Sequence, residues 1–274
     1  MPFWLPTPLG PVVSYGRTIE LWSGGLNEPL WRREDLDRAR GVFSDGRVFL
    51  CPTRESGSEL RLLVLDAGSG ESLASVATDQ AEIKGVCSGT LLIAEGRKAQ
   101  FGLTARSADR LEVMWRRDGH PGLWVVAAGD GRVLVPGRLG ECLDCLDAKT
   151  GALRWTFRAA EKSGKEVDDD GNRIASGFPS VVALHDRVIV STMNGAVYAL
   201  SLETGEVVSS GRPPFLGVYV VTASSIVFAQ PFGLSEFDHG SMREVHRSSY
   251  RDEVEALYEA VSYTHLTLPT NREV

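Results

Sequence analysis

The sequence predicts an all-β chain, a β-propeller of four-stranded antiparallel blades, and three observations predict it. A short turn motif recurs about every 40 residues, the spacing of blade-type repeats. Around each copy lie short strands that are fully apolar or alternate apolar with polar residues. Asn-Gly and Thr-Gly pairs punctuate those strands where tight turns are needed.

The motif is clearest at Asp147-Ala-Lys-Thr-Gly151, with Trp155 eight residues after the Asp. Sliding that frame along the chain places markers at Ser23, Asp66, Ser107, Asp147, Ser201 and Asp238, spaced by 43, 41, 40, 54 and 37 residues. Asp and Ser suit the position because a short side-chain oxygen accepts from backbone N–H groups just ahead, and a following Gly such as Gly151 or Gly205 supplies positive φ. Eight residues after the marker, Trp31, Trp115 and Trp155 share a register that the other copies fill with Ala74, Ser209 and His246. Recurrence at a structural register points to packing between modules rather than to ligand stacking.

The strands follow in order. Module one offers Val12–Tyr15, Thr18–Leu21 and Leu30–Arg32 as its second to fourth strands, with no evident first. Module four reads Leu123–Ala128, Arg132–Pro136, Glu141–Leu146 and Ala152–Phe157. Module five reads Ser180–Leu184, Arg187–Thr192, Ala196–Leu200 and Glu206–Ser209, with Asn194-Gly195 as a hairpin turn. A closing strand for module one is expected from near the C-terminus, because pairing the two ends removes exposed edges. After Tyr250 the pattern changes: Val254, Leu257, Tyr258 and Val261 fall at helical spacing, and Tyr263–Leu268 is the alternative closing strand. The final stretch resembles a translated sequencing-adapter tail. The reading is therefore a propeller domain over 1–250 and a short helix-like segment with a non-native tail over 251–274. Six modules are visible, an incomplete ring of seven or eight blades.

Composition narrows the function classes. In 274 residues, 29 Lys+Arg against 36 Asp+Glu leave a formal charge of −7, which disfavours bulk attraction to nucleic acid or anionic lipid. With 43% hydrophobic and 24% charged residues the chain is of ordinary globular type, and its 29 Gly suit a turn-rich fold. The start, Met1-Pro-Phe-Trp-Leu-Pro, has no basic region before an apolar stretch, so it does not read as a secretory signal. Val218–Ala229, the most apolar region, is far short of the ~20 residues of a membrane helix. Four cysteines are too few for a disulfide framework and fit a reducing or neutral compartment. The chain as given suits the cytoplasm; an upstream export signal would make it periplasmic.

Asp147-Ala-Lys-Thr-Gly-Ala-Leu-Arg-Trp155 and Val197-Tyr-Ala-Leu-Ser-Leu-Glu-Thr-Gly205 resemble the repeats of the pyrroloquinoline-quinone-type (PQQ-like) β-propeller family, with its A-x-D-x-x-T-G-x-x-x-W motif. The similarity covers roughly residues 12 to 250 and is strongest in modules four and five. It implies a rigid scaffold, since many members bind no quinone. A quinone-dependent dehydrogenase would, by the same resemblance, need adjacent cysteines and a calcium-ligand set, and no two cysteines here are adjacent. No cofactor is therefore expected. The alternatives are a dehydrogenase fragment or the sensor half of a longer protein.

In such meanders the second-to-third-strand turns and the connections between modules share one end, opposite the marker turns. Binding residues concentrate on loops held by a rigid scaffold, so that end is the expected functional face. It carries the Pro52–Ser58 turn and an insertion over Glu161–Arg173. Arg54, Arg97 and Arg138 fall in equivalent turns and form a candidate arc for an acidic ligand. With Lys162, Lys165, Asp168, Asp170 and Phe232 they are the candidate contacts to a protein or peptide partner. Glu166-x-Asp168-x-Asp170-Gly171 begins like a calcium loop, but Gly177 stands where the twelfth-position acid is required, so a solvated acidic loop is the plainer reading. Cys142-x-x-Cys145 lacks a second pair to complete a zinc site and lies in a strand, so its thiols read as small apolar residues. No catalytic motif is present around the five histidines, and a binding scaffold is the expected function.

Overall fold

The computed structural model describes residues 3–15, 17–23, 28–34, 39–52, 60–78, 81–97, 100–118, 125–128, 130–136, 142–159, 180–192, 195–212, 219–222, 224–230 and 233–248. These form six four-stranded antiparallel meanders. Module one is β1 (Phe3–Leu5), β2 (Val12–Tyr15), β3 (Thr18–Trp22) and β4 (Pro29–Arg33). Module two is β5 (Ala39–Ser44), β6 (Arg47–Pro52), β7 (Leu60–Asp66) and β8 (Ser72–Thr78). Module three is β9 (Ala81–Cys87), β10 (Thr90–Arg97), β11 (Gln100–Ser107) and β12 (Val113–Arg117). Module four is β13 (Val126–Ala128), β14 (Arg132–Pro136), β15 (Leu143–Asp147) and β16 (Leu153–Phe157). Module five is β17 (Ser180–Ala183), β18 (Arg187–Ser191), β19 (Val197–Ser201) and β20 (Val207–Gly211). Module six is β21 (Tyr219–Val221), β22 (Ser225–Gln230), β23 (Gly233–Asp238) and β24 (Arg243–Ser248).

Module one differs from expectation. Its first strand is Phe3–Leu5, which pairs antiparallel with Val12–Tyr15, so the strand comes from the N-terminal side. Prolines at 2, 6 and 8 hid it, because they leave room for only three strand residues between chain-breaking positions. Thr7 and Gly10 then exchange backbone hydrogen bonds of 3.2 and 3.0 Å and turn the chain into β2. Residues 251–274, including Tyr263–Leu268, lie outside the described residues.

The chain divides into two compact units, Met1–Thr156 and Phe157–Val274. In the first, β1, β5, β9 and β13 lie side by side as the first strands of successive modules. Within each unit, neighbouring sheets close over an apolar layer. Val12, Ile19 and Leu21 meet Val48, Leu50 and Leu65 between modules one and two. Leu62 and Val64 meet Leu91 and Ile93 between two and three. Leu92 and Leu103 meet Val133 and Leu146 between three and four. In the second unit, Ile189, Val197 and Ala199 of module five meet Ile226, Phe228 and Phe237 of module six. Burial on both faces explains strands such as Leu60–Asp66, in which four consecutive residues are buried instead of every second one.

The markers act through their side chains. Asp66 Oδ1 accepts from the amides of Gly68 (3.0 Å) and Ser69 (2.8 Å). Asp147 Oδ1 accepts from those of Lys149 (3.1 Å) and Thr150 (2.9 Å), and from the Thr150 hydroxyl. Asp238 Oδ1 takes the Ser241 amide and hydroxyl, both at 2.7 Å. One residue past the marker in modules two to five, the amide donates to the turn of the module's first hairpin: Ala67 to Gly46, Ala108 to Gly89, Ala148 to Gly131 and Leu202 to Asp186, at 2.7–3.0 Å. The two turns of modules two to five are thereby fastened together at one end.

Four residues past the marker in modules two to six the backbone is left-handed, and within each unit this position faces the last strand of the preceding module. Gly70 (φ 72°) and Gly151 (φ 70°) lie under Trp31 and Trp115; a Cβ at either would fall 2.6–2.7 Å from the indole Cδ2. The indole nitrogens donate to Ala67 O (2.9 Å) and Ala148 O (2.8 Å). Where the preceding module carries Ala74 or Ser209 instead, the left-handed residue is Leu111 (φ 60°) or Met242 (φ 52°). Ala74 packs against the cluster containing Leu111.

Candidate functional site

With both turns fastened to each other in modules two to five, connection lengths also vary at the opposite end. There the second and third strands are joined by connections as short as 98–99 and as long as 53–59 and 137–142. At the fastened end the first-hairpin turns of modules two to four place Asp45-Gly46, Ser88-Gly89 and Asp130-Gly131 at positive φ, while module one spans residues 6–11 between its first two strands.

Of the candidate contacts, Arg97 is the last residue of β10, opposite Gln100 across the hairpin mouth. Arg54, Arg138, Lys162, Lys165, Asp168, Asp170 and Phe232 lie outside the described residues, as does the acidic stretch 166–171. Of the structural-repeat residues, Trp31 and Trp155 are buried, Trp115 is half-buried, and Asp66, Asp147, Gly151 and Gly205 hold the marker turns.

The strands display a polar set that sequence reading missed. Three residues before the marker stand Glu20, Thr104, Asp144 and Ser235, all buried. Asp144 is clamped by Arg117 of the preceding module (Nη2 to Oδ2, 2.6 Å) and by the Thr156 hydroxyl (2.8 Å). Glu20 accepts from Tyr15 Oη (2.8 Å) and Trp22 Nε1 (2.9 Å), with Arg32 Nε at 3.5 Å. That shared hydrogen bond, followed by desolvation, pushes the Tyr15 phenol above its usual range. Carboxylates held by two or three donors brace the sheets that carry them. A polar residue three before four of the six markers was the available signal; it was masked by the apolar strands around it.

The thiols are structural in placement. Cys145 is buried in β15, which pushes its pKa up to about 11 by desolvation, and burial likewise pushes Cys51 up to about 12. Such thiols stay protonated at neutral pH and are weak nucleophiles and ligands. Cys142 stands half-buried just before β15, its Sγ 3.8 Å from Asp144 Oδ1. Among the described residues no group of three or more His, Cys, Asp and Glu could hold a metal ion. No helix among them is long and apolar enough to cross a membrane.

A family model described as outer membrane protein assembly factor BamB matches residues 99–212. No curated protein matches the chain. Among solved structures, BamB from Moraxella catarrhalis superposes with a TM-score of 0.61 at 14% identity, covering 90% of this chain and 75% of that one. AztD from Citrobacter koseri gives 0.58 at 10% identity, with 91% and 71% covered. Sqt1 from Saccharomyces cerevisiae gives 0.56 at 10%, with 88% and 70% covered. At these identities the likeness is one of fold.

Proposed function

We propose that this β-propeller chain, which resembles the PQQ-like propellers, is a non-catalytic scaffold that holds a protein or peptide partner on the end opposite its marker turns. The observation that carries this reading is the contrast between the ends: in modules two to five the same backbone hydrogen bond fastens one, while the connections at the other differ in length and composition. A rigid framework with one variable rim is the arrangement in which recognition loops diversify without cost to the core. The match over residues 99–212 to a model described as an assembly factor supports the same class of function.

Photo-crosslinking amino acids placed at positions 54, 138 and 165, and for contrast at 68 and 149 in marker turns, test the reading in cells. The first set is expected to crosslink one common protein identified by mass spectrometry, and the second set not. Equal crosslinking from both sets, or none from either, overturns the assignment of the face. Dye-linked alcohol oxidation with added quinone and calcium is expected to show no turnover; measurable turnover would overturn the non-catalytic reading.

A further inference from the structure

The outermost strand of each propeller module has a free edge, and in this chain that edge is irregular in a repeated way. In module one Leu21 pairs with Trp31 and Trp22 with Pro29, leaving Leu30 as an extra residue. The same shift leaves Leu73 extra in module two, Met114 in three, Val208 in five and Val245 in six. Each is a β-bulge seven residues past the marker, and each extra residue is apolar. These side chains are 41–59% exposed, and most of the large apolar side chains exposed among the described residues lie at this bulge or next to it.

A bulge alone is accounted for by the need to blunt an edge against strand addition, but edges protected in that way favour lysine and other charges at the irregular position. Apolar residues there serve no such purpose, and in modules three and five the exposed Val113 and Val207 extend them into adjacent apolar pairs with Met114 and Val208. The neighbouring charge shows which kind of partner they suit. Two residues before the bulge stand Glu28, Glu71, Glu112 and Glu206, in modules one, two, three and five, all exposed. Glu28, Glu71 and Glu112 have no ion-pair partner among the described residues. The nearby arginines of the same strands are already engaged: Arg33 with Gly70 O and Ser72, Arg116 with Asp118, Arg117 with Asp144. Module four departs from the pattern, with Arg154 at the bulge register paired to Asp147.

We propose that the outer strands of modules one to three form a docking surface for a partner segment that interleaves basic and apolar side chains, the bulged Leu30, Leu73 and Met114 taking the apolar groups and Glu28, Glu71 and Glu112 the basic ones. This surface is separate from the variable loop end and does not depend on the function proposed for that end. Its partner is a peptide of opposite charge, which the net charge of −7 also favours.

The full chain titrated with a short fluorescent peptide of alternating lysine and leucine tests it by anisotropy. Glu71→Lys with Glu112→Lys is expected to weaken binding roughly fivefold, from two exposed charge pairs of at most ~1 kcal/mol each. Leu73→Ser with Met114→Ser is expected to weaken it by a similar factor. Glu34→Lys with Asp118→Lys makes the same change in net charge away from the bulges and is expected to leave affinity unchanged. Equal weakening by both charge-reversed pairs reduces the effect to bulk electrostatics and overturns the proposal. So does binding that ignores the serine substitutions, or no binding by the parent chain. Leu73 and Met114 are half-exposed and the substituted carboxylates exposed, so thermal unfolding of each variant, measured beside the parent, separates lost docking from lost folding.

Discussion

Two kinds of junction hold successive modules together, and they solve one packing problem with opposite residues. Between modules one and two, and again between three and four, an indole lies flat on a glycine: Trp31 on Gly70 and Trp115 on Gly151. Between two and three the large residue has crossed over, so that Ala74 faces Leu111, and Ser209 and Met242 mark the same exchange between five and six. The volume at the junction is kept while its ownership changes. Polar chemistry is kept as well: the Ser209 hydroxyl donates to His239 O at 2.8 Å, the carbonyl equivalent to those that receive Trp31 and Trp115. The exchange forces Leu111 and Met242 into left-handed backbone, a cost of about 1–2 kcal/mol each that burial of a large side chain, worth about 1.5–3 kcal/mol, offsets. What the repeat specifies is therefore a pair of sizes across a junction, not a residue at a position.

The most severe way to break this pairing is to put large against large. Gly70→Leu would drive a Cβ to 2.6 Å from Trp31 while placing a side chain at φ 72°. Overpacking and backbone strain together should cost about 3–5 kcal/mol, seen as a lowered denaturant midpoint. Adding Trp31→Ala recreates the Ala74–Leu111 arrangement and should recover part of that loss, so the two substitutions are expected to couple by ~1–3 kcal/mol in a double-mutant cycle. A double variant as unstable as the sum of its parts would show that the size exchange is accidental.

Smaller effects come from emptying each type of junction. Trp115→Ala removes an aromatic body and the donor to Ala148 O, and is expected to cost about 3–4 kcal/mol. Leu111→Gly empties the other type but also releases its left-handed backbone, so its cost should be lower, about 1–2 kcal/mol, than a buried leucine usually carries. Unfolding curves followed by tryptophan fluorescence measure both. Equal losses at the two sites would mean that the strain at Leu111 is not real.

These junctions also show what sequence could and could not reveal. Marker turns were legible because Asp147 and Thr150 act on their own neighbours, and local hydrogen bonding leaves a local pattern. The four-strand modules were legible for the same reason, through hairpin pairs such as Asp130-Gly131. Leu111 and Met242 were not recognised as members of the glycine register, since their reason lies in Ala74 and Ser209 one module away. Asp144 and Glu20 were missed because their partners, Arg117 and Tyr15, lie on other strands. Phe3–Leu5 was missed because three residues between prolines carry no periodicity. The bulges went unseen because an extra residue in an alternating strand shows only once its partner strand is in place.

The mildest prediction concerns the charge at the marker. Arg154 donates to Asp147 Oδ2, and the Thr150 amide and hydroxyl donate to Oδ1, which together hold this carboxyl at about 2, below its ordinary 3.8. A carboxyl depressed in the folded state adds stability that is complete above its unfolded value and disappears as pH falls through its folded value. The window for Asp147 is thus roughly pH 4 down to 2. Ser107 and Ser201 fill the same position with hydroxyls that do not titrate, and Ser201 still accepts the Thr204 amide at 3.2 Å. Asp147→Ser should therefore fold, lie slightly below the parent in stability at pH 7, and converge on it as the solution is acidified through that window. Asp66 and Asp238 are shifted the same way and titrate in both proteins, so the difference in denaturant midpoint between variant and parent isolates Asp147. A difference that stays constant from pH 7 to pH 2 would show that the aspartate markers hold their turns as hydrogen-bond acceptors alone, and that their charge distinguishes them in no way from the serine markers.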